Sequence, residues 1–311
     1  MSVVSVDLAR PNAVAMGIGA AALAFALFTM MDTTIKWMSA GYPLHQIILT
    51  NALFALVPVL AAVGRTGSWA AFRTRRLGLH LLRGTIAIGG AYGGFFAFSR
   101  MPMADTYAIL FASPLFITAL SALVLKEDVG WRRWTAVLIG FAGVIVMLRP
   151  GAGVIGLGAL GALAGSFSYS AGVLLVRLMG RQESAVSFVL YTNLMIALGG
   201  AALLPTGFVV PGAGDFALMA FAGLLNGTAM LLVVSAFRWA PAAVVAPFQY
   251  TQMIWGVLFG YLVWGDLPDL PLFVGGGIVV ASGLYILHRE TVRRVPRTAP
   301  AAATPIQEPA G

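Results

Sequence analysis

Apolar runs of near-constant length follow one another along almost the whole chain, separated by short polar breaks. Ten such runs cover residues 13–36, 43–64, 78–99, 104–125, 131–149, 154–177, 185–206, 215–238, 241–264 and 271–288. At 1.5 Å per residue each is long enough to cross a ~30 Å hydrocarbon core as a helix. The pattern therefore predicts an all-α integral membrane protein with ten transmembrane helices. The first run is too long for a signal-peptide core and lacks a small-residue cleavage site, so it reads as a retained helix. Residues 1–12 form a short polar lead. Residues 290–311 are basic at first and then rich in Pro and Ala, the composition of a disordered tail.

The runs are not ten independent segments. Residues 97–104 read AFSRMPMA and residues 236–243 read AFRWAPAA, both fitting A-F-x-x-x-P-x-A at an offset of 139. At the same offset Glu127 meets Asp266, each closing an apolar run, and one residue out of register Gly143 meets Gly283. A unit of that length is half the chain and too long for a solenoid repeat. The chain divides into a first five-helix repeat, 13–150, and a second, 151–289. Five is odd, so the second copy must enter the membrane from the opposite side. Inverted repeats are an architecture of secondary transporters, with the substrate site near the midplane where the repeats face each other.

Composition agrees with the pattern. The chain is 59% hydrophobic and 10% charged, against about 25% charged in ordinary soluble domains. Mean hydropathy is +0.90. The absence of cysteine excludes disulfides, thiolate metal sites and cysteine nucleophiles. The net charge of +8 reports topology rather than nucleic-acid binding. With the N-terminus placed in the cytoplasm, all of the 19 Lys and Arg except Lys36, Arg100 and Arg149 fall on the cytoplasmic side. That bias predicts both termini in the cytoplasm.

The stretches MDTTIKWMSAGYP (31–43), LRG (82–84), FAFSRMPMADTYAILFASPLF (96–116) and LVLKEDVGWRRWTAVLIGFAGVIVMLRPG (123–151), with their weaker echo from Ala236 to Gly283, resemble the drug/metabolite transporter superfamily, specifically its EamA-type members of two five-helix repeats. The resemblance spans nearly the whole chain except the tail. It implies a central cavity lined by helices 1–4 and 6–9, with helices 5 and 10 peripheral. It says little about cargo: members carry amino acids, purines, S-adenosylmethionine, riboflavin and other metabolites, in either direction. Many relatives have Arg in helix 2, in a stretch like F-R-S-L-F-A. Here Asn51 stands at that position, which removes a fixed positive charge from the expected cavity.

Polar residues inside the spans are the candidates for substrate contact. Asp32 is the one acid clearly within a span, and Lys36 lies one turn further along the same face. The two read either as a local pair at the interface or, for Asp32, as a site for a substrate ammonium or a coupling proton. Helix 3 aligns Thr85, Gly89, Tyr92, Phe96 and Ser99 on one face, and helix 4 aligns Tyr107, Phe111, Pro114, Thr118 and Ser121. Such stripes should face protein or water, either lining a cavity or bonding neighbouring helices. Pro114 also frees a carbonyl at mid-helix, which a cavity can satisfy. Tyr169 on helix 6, with Ser166 and Ser170, and Asn226 on helix 8 extend the set. Helix 9 carries the densest cluster, PFQYTQMIW, where Gln249 and Gln252 share a face and Tyr250 and Trp255 would flank them. Amides beside aromatic faces suit a flat ligand. Trp255 alone reads equally well as packing. Asp105 reads as a partner of the helix 4 N-terminus. Glu127, Asp128, Arg132 and Arg133 read as a solvated loop pairing internally. Arg83 reads as facing lipid headgroups or the mouth of the cavity.

Neither a nucleotide-binding loop nor H-E-x-x-H is present, and His45, His80 and His288 are far apart, so no enzyme, cofactor or metal is expected. With the resemblance, the expectation is a gradient-driven or facilitating transporter of a small organic molecule in the bacterial inner membrane. An amino-acid exporter, aromatic in one version, is the leading form. An importer of a heterocyclic metabolite such as S-adenosylmethionine or riboflavin is the alternative, and a lipid-acting membrane enzyme ranks lower. The expected partners are the substrate and the bilayer, with no nucleic acid, and the protein is expected as a monomer or homodimer.

Overall fold

The computed structural model describes residues 11–67, 69–127, 129–148, 156–179 and 183–293, and it is helical throughout. The expected N-terminal lead and tail fall almost wholly outside those residues, as do Asp128, Arg149 and Arg181. The helices are α1 (Pro11–Met38), α2 (Leu44–Thr66), α3 (Leu77–Arg100), α4 (Met103–Leu110), α5 (Ser113–Val124), α6 (Trp131–Leu148), α7 (Leu157–Met179), α8 (Ala185–Ala202), α9 (Ala213–Trp239), α10 (Ala242–Val245), α11 (Thr251–Trp264) and α12 (Leu270–Arg293). Among the described residues nine stretches are long and apolar enough to cross a membrane, with α4 and α5 together making the fourth. Large apolar side chains such as Leu138, Ile254 and Leu262 are about two-thirds exposed, as a hydrocarbon surroundings allows.

The ninth span, expected at 241–264, is present but broken. It consists of α10, a 3₁₀ turn at Ala246–Tyr250 and the short α11. Pro247 lies in that turn and has no N–H to continue an α-helix. The fourth span is broken at the same relative depth, at Phe111–Ala112, before Pro114 in the first turn of α5. Pro114 cannot donate to the Leu110 carbonyl. The Ser166 hydroxyl of α7 donates to it instead, at 3.2 Å, so a neighbouring helix and not the cavity satisfies it. The Ser170 hydroxyl likewise donates to the Ser113 carbonyl at 3.0 Å.

The sequence repeat is a repeat of backbone geometry. α3 ends with the Met101 N–H donating to the Ala97 carbonyl at 2.9 Å, and α9 ends with the Ala240 N–H donating to the Ala236 carbonyl at the same distance. Both capping residues are extended, and Pro102 and Pro241 follow them. This is the physical content of A-F-x-x-x-P-x-A: the proline stops one helix and launches the next.

The repeats interlock. α1 packs on α9 as α7 packs on α3, and α2 faces α8, α4 faces α11 and α6 faces α12 across the same pseudo-two-fold relation. Small residues make the close crossings possible. A Cβ on Gly93 of α3 would come 2.6 Å from the Gly161 carbonyl oxygen of α7, and a Cβ on Gly143 of α6 would come 2.8 Å from that of Gly275 in α12. The largest apolar cluster joins Phe98, Tyr107, Phe111 and Leu115 to Val137, Val144, Val279 and Ile286, seating α4 and α5 against α6 and α12.

Candidate functional site

Between the repeats lies a cavity of about 540 Å³. Its wall comes from α1, α3, the broken fourth span, α7, α8, α9 and the broken ninth span. The second span contributes nothing, which departs from the expected set of helices 1–4 and 6–9. α2 is held away by its packing on α8 and α9.

Aromatic rings recur around the wall, among them Phe25 and Phe28 from α1, Phe95 and Phe98 from α3, and Phe111. Polar side chains face inward between them. Asp32 is buried and accepts a 2.6 Å hydrogen bond at Oδ2 from the Tyr107 hydroxyl. Tyr107 is itself held by Phe98, edge-on at 5.1 Å, and by the Phe111 ring, near-parallel at 6.2 Å. Tyr169 stands on the α7 wall with 58% of its surface open. Gln249 comes from the 3₁₀ turn and Gln252 from the first turn of α11, so the break in the ninth span is what presents both amides. Among the described residues neither glutamine side-chain amide bonds to the protein.

Five of the ten expected contact residues thus share one cavity: Asp32, Tyr107, Tyr169, Gln249 and Gln252. The other five do not line it. Asn51 on α2 accepts a 2.7 Å hydrogen bond from Asn226 on α9, so the two tie helices together. Tyr92 lies off the lining face of α3. Gly90, Gly94, Phe95 and Phe98 form that face, one to two residues around from the expected stripe, while Gly93 is used against α7. The Tyr92 hydroxyl is buried without a partner. Tyr250 packs edge-on against Phe111 at 5.0 Å, outside the wall. Trp255 lies near-parallel to Phe259 at 6.2 Å, the packing role.

Asp32 and Lys36 do not pair with each other. Lys36 reaches across to Asp266 at 3.4 Å, donates to the Met101 carbonyl at 2.7 Å and sits 4.7 Å from the centre of the Trp264 ring. Trp37 packs on Trp264 at 6.4 Å. Beneath this bridge Ile35 and Met103 are fully buried. These contacts join the first repeat to the second at the face away from most of the arginines and stop the cavity above Asp32. Towards the arginine-rich face the wall continues to Val176, Phe188 and Phe237, near the helix ends. There Glu127 approaches Arg177 at 4.0 Å instead of pairing within its own loop.

Residue types alone did not single out the apolar part of the wall, Phe25, Phe28, Phe95 and Phe98, because phenylalanine in a span usually packs. The signal available for Arg83, which also lines the cavity, was its position in the second turn of an apolar run.

The sequence profile of the EamA-like transporter family matches residues 15–149 and 156–287. A riboflavin transporter of Vibrio cholerae is 31% identical over 268 residues, covering 85% of this chain and 90% of its own. An S-adenosylmethionine uptake transporter of Rickettsia prowazekii is 22% identical over 259 residues, covering 83% and 88%. A solved crystal structure superposes with a TM-score of 0.62 at 19% identity, covering 94% of this chain and all of that one, a likeness of fold.

Proposed function

The chain belongs to the EamA-like transporter family, membrane transporters of small metabolites and not enzymes, and from that premise we propose that it carries a flat heterocyclic metabolite of the riboflavin kind into the bacterial cytoplasm. The observation that carries the reading is the pair Gln249 and Gln252. Two amides without protein partners face a cavity walled by phenylalanine rings. Unmet amides in a low-dielectric wall are costly unless a ligand or water bonds them. A planar ring system carrying both donors and acceptors along its edges would satisfy them while its faces pack on the aromatic wall.

What favours this cargo over an exported amino acid is the company of relatives and the size of the site. The V. cholerae relative bears the name of a riboflavin transporter. A cavity of about 540 Å³ also exceeds what a single amino acid fills. A cationic adenosyl metabolite is the second reading, supported by Asp32 in the wall and by the name of the R. prowazekii relative. The orientation follows the positive-inside rule, with the N-terminus and the arginine-rich face cytoplasmic. The conformation is then inward-facing, closed outside by the Lys36 bridge, and the two inverted repeats exchange that closure for one on the inner side.

The test is uptake of riboflavin into proteoliposomes, competed by unlabelled riboflavin, S-adenosylmethionine, phenylalanine and tryptophan. Saturable riboflavin uptake that the amino acids leave untouched is the expected result. Absence of saturable riboflavin uptake, or uptake that phenylalanine or tryptophan abolishes, would sink the reading.

A further inference from the structure

Among the described residues one cation lines the cavity. Arg83, in the second turn of α3 from the arginine-rich face, lines it beside Tyr169 and Phe188. Both of its hydrogen bonds leave from Nη1, one to the Phe188 carbonyl at 3.1 Å and one to the Thr192 hydroxyl. Its Nε is buried with no acceptor. No carboxylate pairs with it among the described residues. Its guanidinium also lies 5.4 Å from the centre of the Phe188 ring.

Contrast the other cations. Lys36 is bridged to Asp266, and Arg177 bonds Ser121 and approaches Glu127. Among the described residues Arg83 is the one cation that lines this cavity, fixed in direction by α8 and left with an Nε–Nη2 edge that no protein acceptor occupies. That edge is the fork to which carboxylates and phosphates bind. The expectation that Asn51 leaves the cavity without a positive charge is therefore corrected: α3 supplies the charge that α2 lacks.

Asp32, the one carboxylate among the lining residues, lies towards the opposite end of the cavity: its partner Tyr107 packs on Phe98, which is about 22 Å beyond Arg83 along α3 at 1.5 Å per residue. We propose that Arg83 is an anion subsite, and that the cargo carries a carboxylate or phosphate at the end of the molecule directed to the arginine-rich face, with its heterocycle held between Gln249, Gln252 and Asp32. This rests on the heterocycle reading above and narrows it. Substrate orientation follows: the anionic group leads towards the face where most of the arginines lie.

The test uses the purified full-length protein and displacement of radiolabelled riboflavin, followed by the label retained on the protein. Three competitors separate the chemistry: riboflavin itself, its 5′-phosphate ester and a carboxymethylflavin. The expected result is that one or both anionic flavins displace at concentrations at least about tenfold lower than riboflavin, as charge-assisted bonds predict. Whichever prevails identifies phosphate or carboxylate as the natural group. In Arg83→Gln the advantage of the anionic flavins over riboflavin is lost, and Arg83→Lys retains part of it. Equal displacement by all three in the wild type overturns the anion subsite and leaves the heterocycle reading standing. So does an Arg83→Gln protein that weakens all three alike, because that assigns Arg83 to holding α3 on α8. Failure of all three flavins to bind removes both.

Discussion

Lys126 and Gly265 occupy the same place in the two repeats, 139 residues apart, and both are in the left-handed backbone conformation, at φ 53° and φ 71°. Each follows a broken span. The next residue of each copy, Glu127 or Asp266, donates its N–H back to the helix, to the Ser121 carbonyl at 3.3 Å and to the Gly260 carbonyl at 3.2 Å. Ser121 and Gly260 are again 139 apart. The two membrane faces thus close their spans with one device, and Lys126 is the only non-glycine residue among those described to take that conformation.

A side chain in the left-handed region costs roughly 1 kcal/mol, which glycine avoids. Gly265→Ala is accordingly expected to destabilise the protein by about 1 kcal/mol, whereas Lys126→Gly is expected to be neutral or slightly stabilising. Thermal unfolding of the two variants in detergent checks the asymmetry. Equal losses in both would remove the strain from the account.

The element order and the repeat were legible because lipid punishes an interrupted apolar run, so span length and charge bias are written residue by residue. The breaks were half legible. Pro114 announced the first, but nothing in 241–264 announced that Pro247 would convert a whole turn to 3₁₀. The site was legible where a polar group has no bland use, as with Gln249, Gln252 and Asp32. It was illegible where rotation decides. Gly93 and Gly161 demand a close crossing, and that fixes the face of α3 which reaches the cavity, turning Tyr92 away and Phe95 and Phe98 inward. Helix rotation is set by the partner, which the local pattern does not contain.

The Lys36 bridge is expected to set the balance between the two access states. Lys36 and Asp266 are partly exposed, at 12% and 32% of their side-chain surfaces, so the pair contributes only about 1 kcal/mol, roughly a fivefold change in the open population. Because the chain has no cysteine, Ser113→Cys in the wall is a clean reporter. Labelling of it by an impermeant maleimide, applied at the face away from most arginines, should be slow in the parent and several-fold faster with Lys36→Met or Asp266→Asn. An unchanged rate would show that the bridge is not a gate.

Asp32 is the proposed site of a coupling proton or of a donor on the cargo. The Tyr107 hydroxyl occupies one of its oxygens at 2.6 Å, and the carboxylate also borders the cavity. A hydrogen bond to a charged group contributes about 1.5–3 kcal/mol, so Asp32→Asn is expected to lower uptake by a factor of about 10 to 100. Tyr107→Phe should do less. In proteoliposomes at fixed internal pH, the Asn variant should also lose any response to a proton gradient. Full uptake and an intact response in that variant would exclude Asp32 from coupling.

A second titrating group lies outside the spans. Burial alone would push the Glu183 carboxyl up, but His80 Nε2 at 3.2 Å, Thr74 and the Arg75 N–H at 3.3 Å outweigh it and hold it below its ordinary value of 4.5. A carboxyl depressed in the folded state stabilises that state above the unfolded value, and the contribution is lost as pH falls from about 4.5 through the lower folded value. The melting temperature should therefore drop more steeply below pH 4.5 in the wild type than in Glu183→Gln. Parallel curves would mean that the Glu183 contacts do not persist in solution.

The Asn226 amide donates to Asn51 Oδ1 at 2.7 Å, while the Asn51 amide nitrogen is buried with no acceptor. The bond links α2 to α9, a pair that also meets where a Cβ on Gly223 would come 2.7 Å from the Asn51 carbonyl oxygen. Interhelical bonds of this kind contribute about 0.6–1.7 kcal/mol in membranes. Asn226→Ala strands a buried acceptor and is expected to cost about 1–2 kcal/mol in thermal stability while leaving the KM for riboflavin uptake within about twofold. Asn51→Leu removes the orphaned amide together with its bond and should cost less. If either substitution instead raises KM tenfold at unchanged stability, the asparagines face the cargo during the transport cycle, as the sequence alone suggested, and the closed packing of α2 on α9 is only one of its states.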